Sequence, residues 1–215
     1  MNTFISNTSI NTRHAGWALI LGSFLITITM VLHPVAGSFE HLIQIATMAM
    51  IVHSIALVSI PILFFGYLGL TSMLRTNMTL SLIALSTMTF GLIAVSLAAT
   101  VNGLVLPLFI NRFANAGEES LEVAKMILAY NTSLNHAFDY IYIVSAAVGI
   151  VLWSVVMWGS SRNRNWVALS GIILALLALI ALFGGFVFTD LHGFRSFIFG
   201  LVLWNVLAAF VLIRS

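Results

Sequence analysis

The sequence predicts an all-α integral membrane protein, a bundle of six transmembrane helices whose second, third and fourth members project into a small extracytoplasmic cap. Three observations favour this fold class. Hydrophobic residues make up 61% of the 215 residues and charged residues only 7%, the mean hydropathy is +1.12, and the apolar residues fall in six long stretches. A soluble domain carries about a quarter charged residues. We therefore expect a single polytopic membrane domain over residues 1–215.

Each apolar stretch reaches the roughly 20 residues that cross a hydrocarbon core of about 30 Å. We place the six spans at residues 17–36, 42–70, 79–110, 121–158, 166–188 and 193–213. The second, third and fourth spans are too long for tilt alone, so their ends should form the cap. Gly103 and Pro107 predict a kink near the end of the third span. The first span is longer than a signal-peptide core, which predicts a retained anchor preceded by a short cytoplasmic tail over residues 1–14.

Arginine in short loops predicts the orientation, because positive residues collect on the cytoplasmic side. Five arginines fall on the side of the two termini: Arg13, Arg75, Arg162, Arg164 and Arg214. The six acidic residues fall toward the opposite side. We therefore expect both termini to be cytoplasmic, and in a bacterium the membrane would be the inner or plasma membrane. The lipid bilayer is the expected partner. No basic patch with interleaved aromatic residues indicates nucleic-acid binding.

The chain contains no cysteine, which excludes disulfides, thiolate metal sites, iron–sulfur clusters and a cysteine nucleophile. No glycine-rich phosphate loop, nucleophile elbow or paired-histidine zinc motif occurs either. A bound metal or cofactor would therefore be held by nitrogen and oxygen ligands, with methionine sulfur as a possible addition. Met30 and Met50 each precede a histidine by three residues, a spacing that suits copper.

The depth of the titratable residues is the most informative feature. At 1.5 Å per helical residue, four spans bring side chains to a layer about 10 Å thick near the extracytoplasmic edge of the hydrocarbon. This layer contains His33, His53, His136, Asp139 and His192. Ionisable residues at membrane depth usually serve a function. We therefore predict a polar site at this boundary.

Two local patterns enlarge the predicted site. On the fourth span, His136 lies three residues before Asp139 and four before Tyr140, so the three share a helix face and Asp139 could orient the imidazole. Asn131 and Asn135, four residues apart, extend the same polar surface. The sixth span begins with Asp190 or Thr189 as a candidate N-cap, followed by His192 and Arg195. The alternative for Asp190 and Arg195 is a simple ion pair at the headgroup boundary.

His53 lies inside an apolar helix, where an imidazole needs a partner. The partner is a metal or, in the alternative, an amide such as Asn102 on the third span. His33 precedes Pro34 at the end of the first span, and its ring could instead reach water at the boundary.

Three functions compete on these residues. In the first, the ligands of Zn, Cu or Fe are His53, His136, His192, Asp139 and His33, either in a structural site or in one for metal-assisted chemistry on a lipid-like or small substrate. In the second, two histidines ligate a b-type haem in a membrane cytochrome. In the third, no cofactor is present and the layer serves a transporter or sensor as a proton or ligand site. The residues expected to support or line the site are Asn102, Asn135, Tyr140, Asp190 and Arg195.

Overall fold

The computed structural model describes residues 10–35, 37–159, 161–188 and 190–215. Its helices are α1 (Thr12–Leu32), α2 (Phe39–Met73), α3 (Met78–Thr100), α4 (Leu106–Arg112), α5 (Glu118–Met157), α6 (Arg162–Phe183) and α7 (Leu191–Ile213). A 3₁₀ turn, Arg75–Asn77, precedes α3, and a π-helical segment, Val101–Val105, joins α3 to α4. Within these residues, six stretches are long and apolar enough to cross a membrane, with Arg75–Arg112 counting as one. The prediction of a multi-pass, all-helical membrane protein is confirmed.

The ends of two helices, α1 and α6, differ most from the predicted spans. α1 begins at Thr12, because the Asn11 side chain accepts a hydrogen bond from the His14 backbone N–H at 3.2 Å. It ends at Leu32, since the residue before Pro34 is disfavoured in the helical region. α6 ends at Phe183, and Gly185 follows with a φ of 86°. Of the predicted tail, residues 12–14 are therefore helical, residues 10 and 11 precede the helix, and residues 1–9 lie outside the described residues.

The kink predicted near Gly103 and Pro107 takes the form of the π-helical segment. Its extra residue per turn carries the chain from α3 into α4, and Pro107 lies in the first turn of α4, where a missing N–H is tolerated. The third span therefore remains continuous while its side-chain register changes.

The helices pack as antiparallel neighbours, with α1 against α2 and α7, α3 against α5, and α6 against α5 and α7. Gly171 on α6 marks a close crossing, since a methyl group there would collide with the side chains of Ser154 and Trp204. Lipid tails are as apolar as the helix surfaces, so the hydrophobic effect does not drive helices together within a membrane. Helices there associate through close packing of this kind at small residues.

Aromatic and polar side chains tie α2, α5 and α7 together in the half of the bundle that contains the C-terminus. The Tyr67 hydroxyl donates to Asn205 Oδ1 at 2.9 Å, and Trp153 Nε1 donates to Thr71 Oγ1 at 3.1 Å. The Trp153 ring stacks on Tyr67 and on Trp204, at centroid distances of 5.2 and 6.2 Å. Because buried polar groups must be paired, these bonds fix which helix faces meet.

A second, smaller apolar cluster lies between α2, α4 and α5. It contains Phe39, Ala46, Ile110 and Ala124. α2 and α5 are 35 and 40 residues long, about 52 and 60 Å at the helical rise, against a hydrocarbon core of about 30 Å. The two helices are therefore longer than a perpendicular crossing requires, and the small cluster lies between their amino-terminal parts and α4.

Candidate functional site

A cavity of about 580 Å³ lies between the helices at the end of the bundle where α1 ends and α7 begins. We call this the histidine end. Residues from α1, α2, α3, α4, α5 and α7 line the cavity, together with the π-helical segment. Most of the lining is apolar. The polar lining side chains are Thr29, His33, His53, Asn102, Asn131, Thr132, Asn135, His136, Asp139, Tyr142, Asp190 and His192.

His33 and His53 form a ring pair on one wall of the cavity. Their ring centroids are 4.9 Å apart, in an edge-to-face arrangement. His33 Nδ1 lies 2.9 Å from the Pro34 carbonyl oxygen, and His53 Nδ1 lies 2.8 Å from the Ala49 carbonyl oxygen. A carbonyl oxygen only accepts, so both Nδ1 atoms carry the proton. In the neutral imidazole, each Nε2 is then left as an acceptor.

The π-helical segment makes room for His53. A methyl group at Gly103 would collide with Cβ and Cγ of that histidine, so a residue with a side chain does not fit without displacing the ring. The same segment carries Asn102 into the lining of the cavity. π-Helical turns of this kind are frequent at functional sites.

Amide and carboxylate groups occupy another part of the wall. Asn131 Nδ2 donates to Asn102 Oδ1 at 2.7 Å, which joins α5 to the π-helical segment. Asn135 Nδ2 donates to Asp139 Oδ2 at 2.8 Å. Asp139 is 7% exposed, and none of the described residues donates to its second oxygen, Oδ1. A buried carboxylate thus reaches the cavity with one oxygen unpaired.

Arg195 stabilises the end of α1 and does not line the cavity. Its Nε donates to the Met30 carbonyl oxygen and its Nη2 to the His33 carbonyl oxygen, both at 2.9 Å. A cation at the carboxyl end of a helix is favourable because the last carbonyl groups there have no helical partner. Asp190 acts as the N-cap of α7, accepting from the Gly193 backbone N–H at 2.6 Å. The alternative of an Asp190–Arg195 ion pair is therefore wrong, whereas the predicted N-cap at Asp190 is confirmed; Thr189 lies outside the described residues.

The predicted constellation on the fourth span is separated in the structure. Asp139 pairs with Asn135, four residues earlier, and the described residues show no hydrogen bond between Asp139 and His136. His136 lines the cavity but is exposed, and Tyr140 is exposed and outside the lining. A spacing of three residues still leaves about 60° of rotation about the helix axis. That rotation is sufficient to bury Asp139 and expose His136.

The predicted set of five metal ligands is not assembled. Across the part of the chain that the structure describes, no three His, Asp or Glu side chains lie close enough together to hold a metal ion. His33 and His53 meet, while His136 and His192 are exposed residues of the lining. The interpretation of His53 as paired with Asn102 is also wrong, since its Nδ1 bonds to its own helix and Asn102 pairs with Asn131. Equal distances along the helices bring these side chains to one layer of the bundle. They do not determine which side of its helix each side chain occupies, and therefore which side chains meet.

A b-type haem does not fit between the two paired histidines. Two axial ligands lie on opposite faces of the macrocycle, with the iron between them. Rings with centroids 4.9 Å apart and edges in contact leave no space for that plane.

Several lining residues were not predicted as part of the site, notably Thr29, Tyr142 and the apolar residues around them. Asn131, which the sequence places on the polar surface of the fourth span, is among the lining residues. The apolar lining gives no signal in the sequence, because nearly every residue of a membrane span is apolar.

The comparisons with known proteins add no relationship. No family model matches the chain, and neither a curated protein nor a solved structure matches it at a significant level. The proposals for this site therefore depend on its geometry.

Proposed function

We propose that this membrane protein binds an amphiphilic small molecule or lipid in the cavity at the histidine end. The observation that carries the proposal is the cavity itself. Its volume of about 580 Å³ lies within the range of roughly 300–1,000 Å³ for small-molecule sites. A mainly apolar lining with a few buried polar groups is typical of such sites. The same arrangement suits a sensor or a transporter whose ligand has an apolar chain and a polar head.

The proposed orientation puts the histidine end on the extracytoplasmic side and both termini in the cytoplasm. Arg75 lies between α2 and α3, and Arg162 and Arg164 lie at the start of α6, all at the opposite end of the bundle from the cavity. Positive residues in short loops favour the cytoplasmic side. The surplus length of α2 and α5, with α4 and the small apolar cluster, would then form the extracytoplasmic cap.

The test is to fill the cavity with larger side chains and to measure how much bound lipid or small molecule the protein retains. Ala56 and Ala99 are buried residues of the lining, so Ala56→Leu and Ala99→Leu each add volume there. Ile93→Phe adds bulk at a residue that is 54% exposed and serves as the matched control. Native mass spectrometry from nanodiscs would measure co-purifying lipid or small molecule. We expect each cavity variant to raise the dissociation constant about tenfold, equivalent to about 1.4 kcal/mol of binding free energy, and the control to keep the wild-type value.

If the two cavity variants melt at the wild-type temperature and retain the same bound molecule, the proposal is wrong. It is also wrong if the wild-type protein carries no bound molecule and takes none up from a mixture of lipids and single-chain amphiphiles.

A metal ion at the His33–His53 pair is a second candidate function. It is favoured by one observation, the bonds from both Nδ1 atoms to backbone carbonyl oxygens, since metal-ligating histidines usually donate their second N–H in this way. Zn, Cu or Fe would need further ligands from water, substrate or nearby side chains. Elemental analysis should then find metal in the wild-type protein and background levels in His53→Gln. Equal metal content in the two proteins would exclude the candidate.

A further inference from the structure

We propose that the polar head of the ligand is a positively charged hydrogen-bond donor, so that the cavity binds a long-chain primary amine or a lipid with a free ammonium group. This inference rests on the proposed function and names the chemical class of its ligand. It is carried by the cavity together with the unpaired acceptors on its wall.

The paired histidines present acceptors and lack free donors in their neutral form. Each Nδ1–H is already bonded to a backbone carbonyl oxygen, so each Nε2 can only accept. His53 is 9% exposed, and no described protein group donates to its Nε2. A ligand that carries N–H or O–H groups would satisfy these atoms, whereas a ligand with acceptors alone would leave them unpaired, which is unfavourable.

Asp139 adds a carboxyl group to the same wall, and this group carries a negative charge when it is ionised. One carboxylate oxygen accepts from Asn135 Nδ2 and the other has no described donor. No lysine or arginine occurs among the described residues that line the cavity. A buried carboxylate without a cationic partner is costly. An ammonium group would supply both the opposite charge and a charge-assisted hydrogen bond, roughly twice as strong as a neutral one.

The other charged residues near the cavity are exposed to solvent or bonded to a helix end. Asp190 also lines the cavity, but it is exposed, and its Oδ1 accepts from the Gly193 backbone N–H. Arg195 does not line the cavity, since its Nε and Nη2 donate to carbonyl oxygens at the end of α1. An anionic head group would therefore meet the carboxyl group of Asp139 with no lining lysine or arginine to balance it, so a fatty acid fits this site poorly.

The rest of the lining suits an alkyl chain. Away from the histidines, the cavity is bounded by apolar side chains, including Ile60 and Leu63 of α2 and Leu92 of α3. Each methylene group buried there adds to the affinity because it is removed from water. The chain would thus supply affinity that is common to all single-chain amphiphiles, and the head group would supply the selectivity.

The experiment compares four probes with one chain length: dodecylamine, dodecanol, dodecanoate and dodecyltrimethylammonium. Each is titrated into the full-length protein in nanodiscs, and binding is read by native mass spectrometry. We expect dodecylamine to bind at least about tenfold more tightly than dodecanoate. Dodecyltrimethylammonium, which has the charge but no N–H donor, should bind more weakly than the amine.

Asp139→Asn keeps the shape of the side chain and removes its charge, so the preference for amine over acid should disappear. Glu119→Gln is the matched control, because Glu119 is an exposed residue of α5 that does not line the cavity. Equal binding of amine and acid by the wild-type protein, or an unchanged preference in Asp139→Asn, would overturn the inference. Neither result would contradict the proposed function of amphiphile binding. Failure of all four probes, together with the absence of any retained lipid, would overturn the proposed function as well. The wild-type comparison decides the matter even where a variant fails to fold.

Discussion

At the scale of single residues, the contact between Gly103 and His53 decides the geometry of the site. The absence of a side chain at Gly103 lets the π-helical segment approach the imidazole of His53. The His53 ring in turn contacts His33. Three residues far apart in the sequence therefore fix the position of one pair of acceptors.

We expect Gly103→Ala to displace His53 and weaken ligand binding. The added methyl group collides with the imidazole, and overpacking of this kind costs about 1–3 kcal/mol. The melting temperature in a fixed detergent and the fraction of bound amphiphile should both fall. Gly117→Ala is the control, because nothing lies within 4 Å of a methyl group there. Equal effects of the two substitutions would contradict the role given to Gly103.

At the scale of helices, the end of α1 depends on a residue of α7. Pro34 terminates α1 and leaves its last carbonyl groups without helical partners. Arg195 donates to two carbonyl oxygens in this region, and one of them belongs to His33. The position of the histidine pair thus depends on how α7 packs against α1.

Arg195→Gln should destabilise the protein and loosen the histidine pair. A hydrogen bond from a charged group contributes about 1.5–3 kcal/mol, and loss of the guanidinium leaves buried carbonyl oxygens unpaired. We expect a lower melting temperature together with weaker amphiphile binding. Arg112→Gln, at an exposed position, should change neither. Equal melting temperatures of the two variants would show that the hydrogen bonds from Arg195 to α1 do not stabilise this end of the bundle.

At the scale of the whole molecule, charge and length are distributed unequally between the two ends. Arg75, Arg162 and Arg164 lie at the end with the termini, whereas the cavity and the surplus length of α2 and α5 lie at the other. At the end with the termini, hydrogen bonds and stacked rings around Trp153 connect the helices. At the histidine end, the helices leave the cavity between them. One half of the bundle is therefore closely packed, and the other half has space for a ligand.

The orientation can be tested directly because the chain has no native cysteine. Asn115→Cys introduces a thiol in the exposed loop between α4 and α5, and Thr76→Cys introduces one in the exposed turn between α2 and α3. In intact bacterial cells, a membrane-impermeant maleimide should label Asn115→Cys and not Thr76→Cys. Both should react after the membrane is made permeable. Labelling of Thr76→Cys alone in intact cells would reverse the proposed topology.

The amino-acid sequence by itself determined the class of the protein, the number of spans and the depth of its titratable residues. These properties follow from composition and from the fixed rise of a helix, so they need no knowledge of which helices touch. It also indicated a break near Gly103, because glycine and proline change the backbone locally whatever surrounds them.

Only the tertiary structure decided which of those residues meet. The rotation of each helix depends on packing against its neighbours, and membrane spans carry almost no amphipathic pattern that would predict it. His53 and His33 form a pair because the π-helical segment and Arg195 position them, while His136 and Tyr140 turn outward on the same helix that buries Asp139. The cavity arises from the same packing, since it is space that six segments leave between them, and no single segment encodes it.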